Sequence, residues 1–268
     1  MKNLNVTISI LLLAAMLAGC QKWRDNRSPF AGADNALAEV SFTDVFRAAL
    51  NAGVFYNGAP SNIDTCAVLT TQTSSGDYPV NLRLDYGTEN CTGYYNFKRR
   101  GVILAQFSQP ITEQGARIDI TLENFYSNDY LIEGAIRVNF LGVTDGKSKY
   151  SLTVTGGKIT NPEEEAVEWN AEYIFERVAG EETPDFLWDD QFSITGEASG
   201  KNSSENGFTA VIKESLLLEM VCRWPQKGIV EIEPDDRKTN TLDYGNDDAC
   251  DNQAVVTIGK KDYKTTLR

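Results

Sequence analysis

Apolar residues recur at helical spacing in one stretch near the amino terminus and at strand spacing almost everywhere after it. Between Asp34 and Asn51, the residues Phe42, Val45, Phe46 and Ala49 fall at i, i+3, i+4 and i+7, with Leu37 and Ala38 a turn earlier. That period predicts an amphipathic helix over 34–51. Asp34 is placed to cap its first turn and Gly53 to close its last. Such a stripe ordinarily packs on a core, so the helix is expected to plug one end or one face of the body that follows.

After residue 60 the period changes to two. Ile118, Ile120 and Leu122 alternate with Arg117, Asp119, Thr121 and Glu123, which makes one strand face dry and the other wet. The alternation returns at Leu152 and Val154, at Trp169, Ala171, Tyr173 and Phe175, at Val230 and Ile232, and at Val256 and Ile258. Turn formers separate the runs: Ser75-Gly76-Asp77, Asp145-Gly146, Gly156-Gly157, Gly180, Gly196 and Asn206-Gly207. They imply about a dozen or more short strands, mostly joined as hairpins. The predicted class is all-β: an antiparallel β-sandwich or partly open rolled sheet of many short strands, with one N-terminal amphipathic helix. No Pro-rich linker divides residues 60–268, so residues 34–268 read as a single β-rich body.

Ahead of the helix the pattern is different. Lys2 precedes an apolar run from Leu4 to Met16, and Leu17-Ala18-Gly19-Cys20 follows. A positive end, a greasy middle and small residues before a cleavage point are the order of an export signal. The run is shorter than the roughly 20 residues a bilayer-spanning helix requires, and Asn5, Thr7 and Ser9 interrupt its first half. Leu17-Ala18-Gly19-Cys20 resembles the lipobox of bacterial lipoproteins. The resemblance implies cleavage between Gly19 and Cys20 and transfer of a diacylglyceryl group to the Cys20 sulfur, with palmitate as the expected kind of chain. Several acyl chains on one residue meet the two-anchor requirement for stable membrane attachment, at about 0.8 kcal/mol per buried methylene. Gln21 resembles the sorting signals that favour the outer membrane over retention in the inner one. Lys22, Trp23 and Arg24 precede the first acidic residue, Asp25, so the periplasmic and extracellular faces both stay open. The chain then divides into a signal peptide at 1–19, a lipidated Cys and tether at 20–33, and the body at 34–268.

Charge and composition narrow the chemistry. The 268 residues carry 25 Lys plus Arg against 38 Asp plus Glu, a net charge of −13, and no histidine. Loss of residues 1–19 removes one lysine and leaves −14. Without imidazole there is no Ser-His-Asp or Cys-His nucleophile and no His-containing zinc or iron site. So acidic a surface repels phosphate backbones, and no nucleic acid is expected as a partner.

A duplication is written into the cysteines. Cys66, Leu84-Asp85-Tyr86-Gly87 and Cys91 recur as Cys222, Leu242-Asp243-Tyr244-Gly245 and Cys250. We read a repeated β element at 66–107 and 222–259, one toward each end of the body. Four cysteines remain once Cys20 is acylated, and an even count in an oxidising compartment implies disulfides. Of the three possible pairings, duplication favours Cys66 with Cys91 and Cys222 with Cys250, each staple contributing about 3.5 kcal/mol. Zinc is the poorer use of these thiols, since they lack C-x-x-C spacing. Together with Lys98-Arg99-Arg100-Gly101, Ile194-Thr195-Gly196 and Cys250-Asp251-Asn252, the repeated elements resemble a group of uncharacterised all-β lipoproteins of Bacteroidota, over most of the chain after residue 60. The resemblance implies location and architecture, and brings no activity or catalytic residue with it.

Three constellations could carry chemistry. Asp243, Asn246, Asp247, Asp248 and Asp251 gather oxygen-bearing side chains within nine residues, which makes Asp243, Asp247, Asp248 and Asp251 calcium candidates. An ordinary acidic turn is the weightier reading, and no metal is assigned. Tyr94, Tyr95, Phe97, Arg99 and Arg100 form the densest aromatic-basic patch and are the ligand candidates, able to stack on a sugar or hold an anion. The weightier alternative is a strand edge whose cations pair with acidic neighbours. Glu163-Glu164-Glu165, Glu181-Glu182, Asp189-Asp190 and Asp235-Asp236 read as a solvated acidic rim, since adjacent strand residues point to opposite faces and cannot form a glycosidase pair between themselves. Trp169, Trp188 and Trp224 are expected in core or inter-sheet contacts.

No catalytic residue and no cofactor emerges. The expected protein is an outer-membrane-anchored lipoprotein, not an enzyme, with a binding or envelope-structural role. Its membrane contact runs through the acyl chains on Cys20, and a glycan, a lipid or an envelope protein is the open choice of further partner. The alternatives are a carrier of a hydrophobic, lipid-like ligand, which requires a dry cavity of several hundred cubic ångströms beneath the helix, and a carboxylate-dependent glycan hydrolase.

Overall fold

The computed structural model describes residues 30–59, 66–71, 76–93, 96–184, 186–235, 238–246 and 249–267. Cys20 and the signal segment lie outside the described residues. Among the described residues, one α-helix, α1 (Phe30–Tyr56), is followed by fourteen strands: β1 (Val68–Thr71), β2 (Val80–Asp85), β3 (Cys91–Thr92), β4 (Lys98–Phe107), β5 (Arg117–Ser127), β6 (Tyr130–Thr144), β7 (Lys147–Thr160), β8 (Ala166–Ala179), β9 (Gln191–Lys201), β10 (Gly207–Glu219), β11 (Lys227–Pro234), β12 (Asn240–Asp243), β13 (Gln253–Ile258) and β14 (Lys261–Thr266). They form one sheet, in the order β1-β2-β4 and then consecutively to β14, with the short β3 beside β4. Every pairing is antiparallel.

The meander follows from its connections. Asn128-Asp129 and Asp145-Gly146 both hold positive φ at two successive residues, the backbone of a two-residue hairpin that matches the right-handed twist of its strands. The predicted class is correct in its rolled, partly open form. The sheet curls around α1, which packs against β2 and β4 toward one end of the strand order, β8 in its middle, and β11 and β12 toward the other end.

The helix is longer than its periodicity predicts and is buried around nearly its whole circumference. Ala36, Ala38, Val40, Phe42, Val45, Phe46, Ala49 and Ala52 point in different directions around the axis, and all are buried. A helix enclosed on every side needs apolar or small residues all round, so one stripe of helical spacing understates it. Its bounds also differ from expectation. It has begun by Phe30, inside the segment read as tether, and runs past Gly53 to Tyr56. Asp34 therefore lies inside the helix instead of at its cap; its Oδ2 accepts hydrogen bonds from the backbone N–H and hydroxyl of Ser203, both at 2.8 Å, and ties the β9–β10 turn to the helix.

Several central strands are also longer than expected. β6, β7 and β8 run to 15, 14 and 14 residues, and Gly156-Gly157 and Gly196, read as turns, lie inside β7 and β9. The β7–β8 register shifts between Val154 and Gly157, and a bulge of this kind bends a strand without ending it. Gly157 is also a place where the helix comes close. A Cβ there would lie 2.4 Å from the Trp169 carbonyl oxygen and 2.8 Å from Phe42 Cζ.

The core is an aromatic ladder between α1 and the inward face of β8. Phe42 stacks on Trp169 with ring centroids 5.3 Å apart, and Phe46 packs on Phe175 at 4.6 Å, with Phe192 and Tyr150 edge-on to it. Trp169, Ala171, Tyr173 and Phe175 are all buried, as the period-two pattern requires. Each large apolar side chain so enclosed contributes about 1.5–3 kcal/mol.

The two repeated elements fold alike. Leu84 pairs with Leu69 on one side and Ile103 on the other, and Leu242 pairs with Val230 and Val256. In both, the Asp Oδ1 accepts from the Gly N–H two residues on, at 2.8 Å, in Asp85 to Gly87 and in Asp243 to Gly245. Each repeat is stapled by its own disulfide, Cys66–Cys91 and Cys222–Cys250, with Cα atoms 6.0 and 5.5 Å apart.

Candidate functional site

The C-terminal half of α1 ends at a mouth in the rolled sheet. Leu50 and Val54 of the helix, Phe140 and Tyr150 of β6 and β7, Arg177 of β8 and Leu187 of the β8–β9 connection line a cavity of about 200 Å³. Val143, also in its wall, is exposed, and so are Phe55 and Phe186, the neighbours of lining residues Val54 and Leu187.

A charged floor lies beneath this apolar rim. Arg177 follows Trp169, Ala171, Tyr173 and Phe175 at the same parity of β8, so the strand delivers its guanidinium inward. Its Nε lies 3.1 Å from Asp190 Oδ2, its Nη2 3.5 Å from the Tyr150 hydroxyl, and its Nη1 3.9 Å from Glu181 Oε2. Asp190 is completely buried. Burial pushes its carboxyl up to about 7, although Arg177 beside it pulls the other way. Burial likewise raises the Tyr150 hydroxyl. Gly180, at φ +94°, makes room for this acid, since a Cβ there would sit 2.0 Å from Asp190 Oδ1. Glu181 is committed to Ser148, accepting from its backbone N–H and, at 3.0 Å, from its hydroxyl. Arg177 and Asp190 face one another without an aligned hydrogen bond between Nε and the carboxyl oxygens, and the rest of the wall is largely apolar.

No protein-family model, curated protein or solved structure matches the chain. The functional reading of this mouth rests on its own residues.

The sequence candidates are distributed differently. Strand alternation splits the aromatic-basic patch: Phe97 and Arg99 are buried, whereas Arg100 faces outward. Arg99 forks onto Asp44 of α1, with Nε to Oδ2 at 2.9 Å and a second, short contact between Nη2 and Oδ1. Arg100 lies 3.7 Å from the Tyr126 ring centroid and bonds Asp129 and Asn90 at 2.9 and 2.7 Å. Tyr94 and Tyr95 lie outside the described residues. Of the calcium candidates, Asp243 holds Gly245 and Asp251 accepts from Gln253 N–H at 2.9 Å; Asp247 and Asp248 lie outside the described residues. Among the described residues no three His, Cys, Asp or Glu gather as a metal would require.

The acidic-rim reading suits Glu163, Glu164 and Glu165, which are exposed, but it is wrong for Asp190. Adjacent residues diverge, so Asp189 takes the Thr183 hydroxyl at 2.8 Å outside while Asp190 turns in. The mouth had one sequence signal that went unused: a cation, Arg177, at an inward position of an otherwise apolar alternation.

Proposed function

We propose that this chain is an outer-membrane lipoprotein, anchored through acyl chains on Cys20, whose β body binds an envelope partner without performing chemistry on it. The mouth cavity carries the binding part of this reading. Its volume of about 200 Å³ lies below the roughly 300–1,000 Å³ of pockets that enclose whole small molecules. A projecting side chain or the end of an acyl chain fits that volume, and a complete lipid does not. The space around α1, where a carrier would hold its cargo, is packed with Phe42, Phe46, Trp169 and Phe175.

A non-catalytic role agrees with the state of the acids. Asp190 faces Arg177 with no exposure, and both oxygens of Glu181 are engaged by Ser148. The lipobox pattern supports the address, and two cystines fit an oxidising compartment.

Mass spectrometry of protein taken from the native envelope should find Cys20 amino-terminal and acylated; an unmodified Cys20 sinks the anchor. A photo-crosslinking residue at position 186 should yield an adduct in whole cells that Val143→Trp, which fills the mouth, abolishes. An adduct indifferent to Val143→Trp removes the mouth as the binding site.

A further inference from the structure

The two repeated elements meet at a seam rich in guanidinium groups. Phe97, from the first repeat, lies under Arg99 at 4.7 Å and under Arg223, from the second repeat, at 4.4 Å from its ring centroid. Arg47 of α1, one turn on from Asp44, donates to the carbonyl oxygens of Glu219, Cys222 and Arg223. Three cations thus converge in a protein that is acidic overall.

They are not answered alike. Arg99 forks onto the Asp44 carboxylate, and the partners of Arg47 include backbone carbonyl oxygens. Arg223 rests on ring faces, those of Phe97 and of Trp224 at 5.0 Å. Its Nε is buried with no acceptor among the described residues, and so is the indole Nε1 of its neighbour Trp224. Burial lowers the Arg223 pKa; Asp44 nearby works to raise it, and Arg99 lowers it further. Two adjacent donors without acceptors, one of them cationic, are costly inside a protein unless a third group supplies the oxygens. Both side chains are half-buried and reach the surface, although the two unpartnered nitrogens are themselves covered.

We propose that the seam is a binding site for a phosphate-type oxyanion, held by the Arg223 guanidinium and the Trp224 indole N–H in the positive field of Arg99 and Arg47. A tetrahedral oxyanion offers several acceptor oxygens at once, which suits a forked guanidinium beside a single N–H. Bound there, it answers the Arg223 guanidinium and clasps the second repeat to the first. The site is separate from the mouth and does not depend on the function proposed for it. Inorganic phosphate and the phosphate of a lipid headgroup share the required chemistry.

The test uses the full-length lipoprotein in detergent, titrated with inorganic phosphate at constant ionic strength against chloride. Phosphate should raise the melting temperature where chloride does not, and Arg223→Gln should weaken binding about tenfold or more, the effect of losing a charged hydrogen bond. Lys264→Gln, on exposed β14, should leave it unchanged. Dihexanoyl phosphatidic acid binding more tightly than inorganic phosphate identifies a lipid headgroup as the source; equal binding identifies the free anion. A phosphate response no larger than that of chloride, or equal in wild type and Arg223→Gln, overturns the site. If Arg223→Gln does not fold, phenylglyoxal modification of the wild type decides. Phosphate should slow modification of Arg223 but not of exposed Arg137 on β6, and equal slowing of both overturns the proposal.

Discussion

Tyr173 of β8 donates a 2.7 Å hydrogen bond to Glu39 of α1, across 134 residues of chain. Tyr244, just beyond β12, donates to the other oxygen of the same carboxylate, and Asn35 donates to it at 2.9 Å while accepting from Trp169 Nε1 at 3.0 Å. One helical carboxyl therefore fixes α1 to the middle of the sheet and to its far part. Burial raises the Glu39 pKa, and the three donors act against that rise. Burial, with the carboxylate alongside, drives both phenols well above their ordinary range.

Glu39→Leu leaves two hydroxyls and an amide buried without their acceptor, and should cost about 3–9 kcal/mol at roughly 1–3 kcal/mol per stranded group. Glu39→Gln keeps one acceptor oxygen and should cost about half as much. Urea unfolding at unchanged m checks both. A Glu39→Leu protein as stable as Glu39→Gln would show that the three donors find other partners.

Arg99 and Arg100 are adjacent in sequence and should behave as different kinds of residue. Arg99→Met strands the fully buried Asp44 and should cost about 3–5 kcal/mol. Arg100→Met loses a pair with Asp129, whose side chain is 46% exposed, and should cost no more than about 1 kcal/mol. Equal losses in chemical denaturation would contradict the split that strand alternation imposes.

Gly157→Ala should destabilise by about 2 kcal/mol or more, because the added methyl meets the Trp169 carbonyl and the Phe42 ring within 3 Å. The companion Phe42→Leu should recover part of the loss if the ring is one source of the clash. Calorimetric melting of the two single variants and the double variant reads the coupling.

Asp190 makes stability fall as pH rises. Its carboxyl titrates near 7 when folded and near 3.9 when unfolded. Between those values the folded chain therefore binds the extra proton, and the stabilisation present below pH 4 is lost by about pH 7. Three units correspond to about 4 kcal/mol at most. Asp190→Asn should flatten the stability profile between pH 4 and 7 relative to wild type. Parallel profiles for the two proteins would mean that Asp190 ionises normally.

Strand parity was readable in β5 and β8, where single-face burial leaves a two-residue signature in Ile118, Ile120, Trp169 and Phe175. The duplication and its disulfide pairing were readable for a related reason. The LDYG strand, its turn and its cysteines form a compact unit that places the same residues opposite each other in both copies. Gly156-Gly157 and Gly196 misled because glycine permits a bulge as readily as a turn, and only the curvature demanded by the helix distinguishes them. The mouth was hidden for a different reason: Arg177 and Asp190 belong to separate elements, and nothing local to either announces the other.

The order of side chains along the chain settled which faces are dry, where one helix gives way to many strands, and that two stapled elements recur. Those are properties of neighbouring residues and of backbone period, which act before any long-range contact forms. The enclosure of α1, the pairing of Asp44 with Arg99 across 55 residues, the elevated Asp190 and the convergence of Arg47, Arg99 and Arg223 were decided by the closing of the sheet. A charged group's fate depends on how much water it loses and on what it then faces, and both are set by segments far away in the chain.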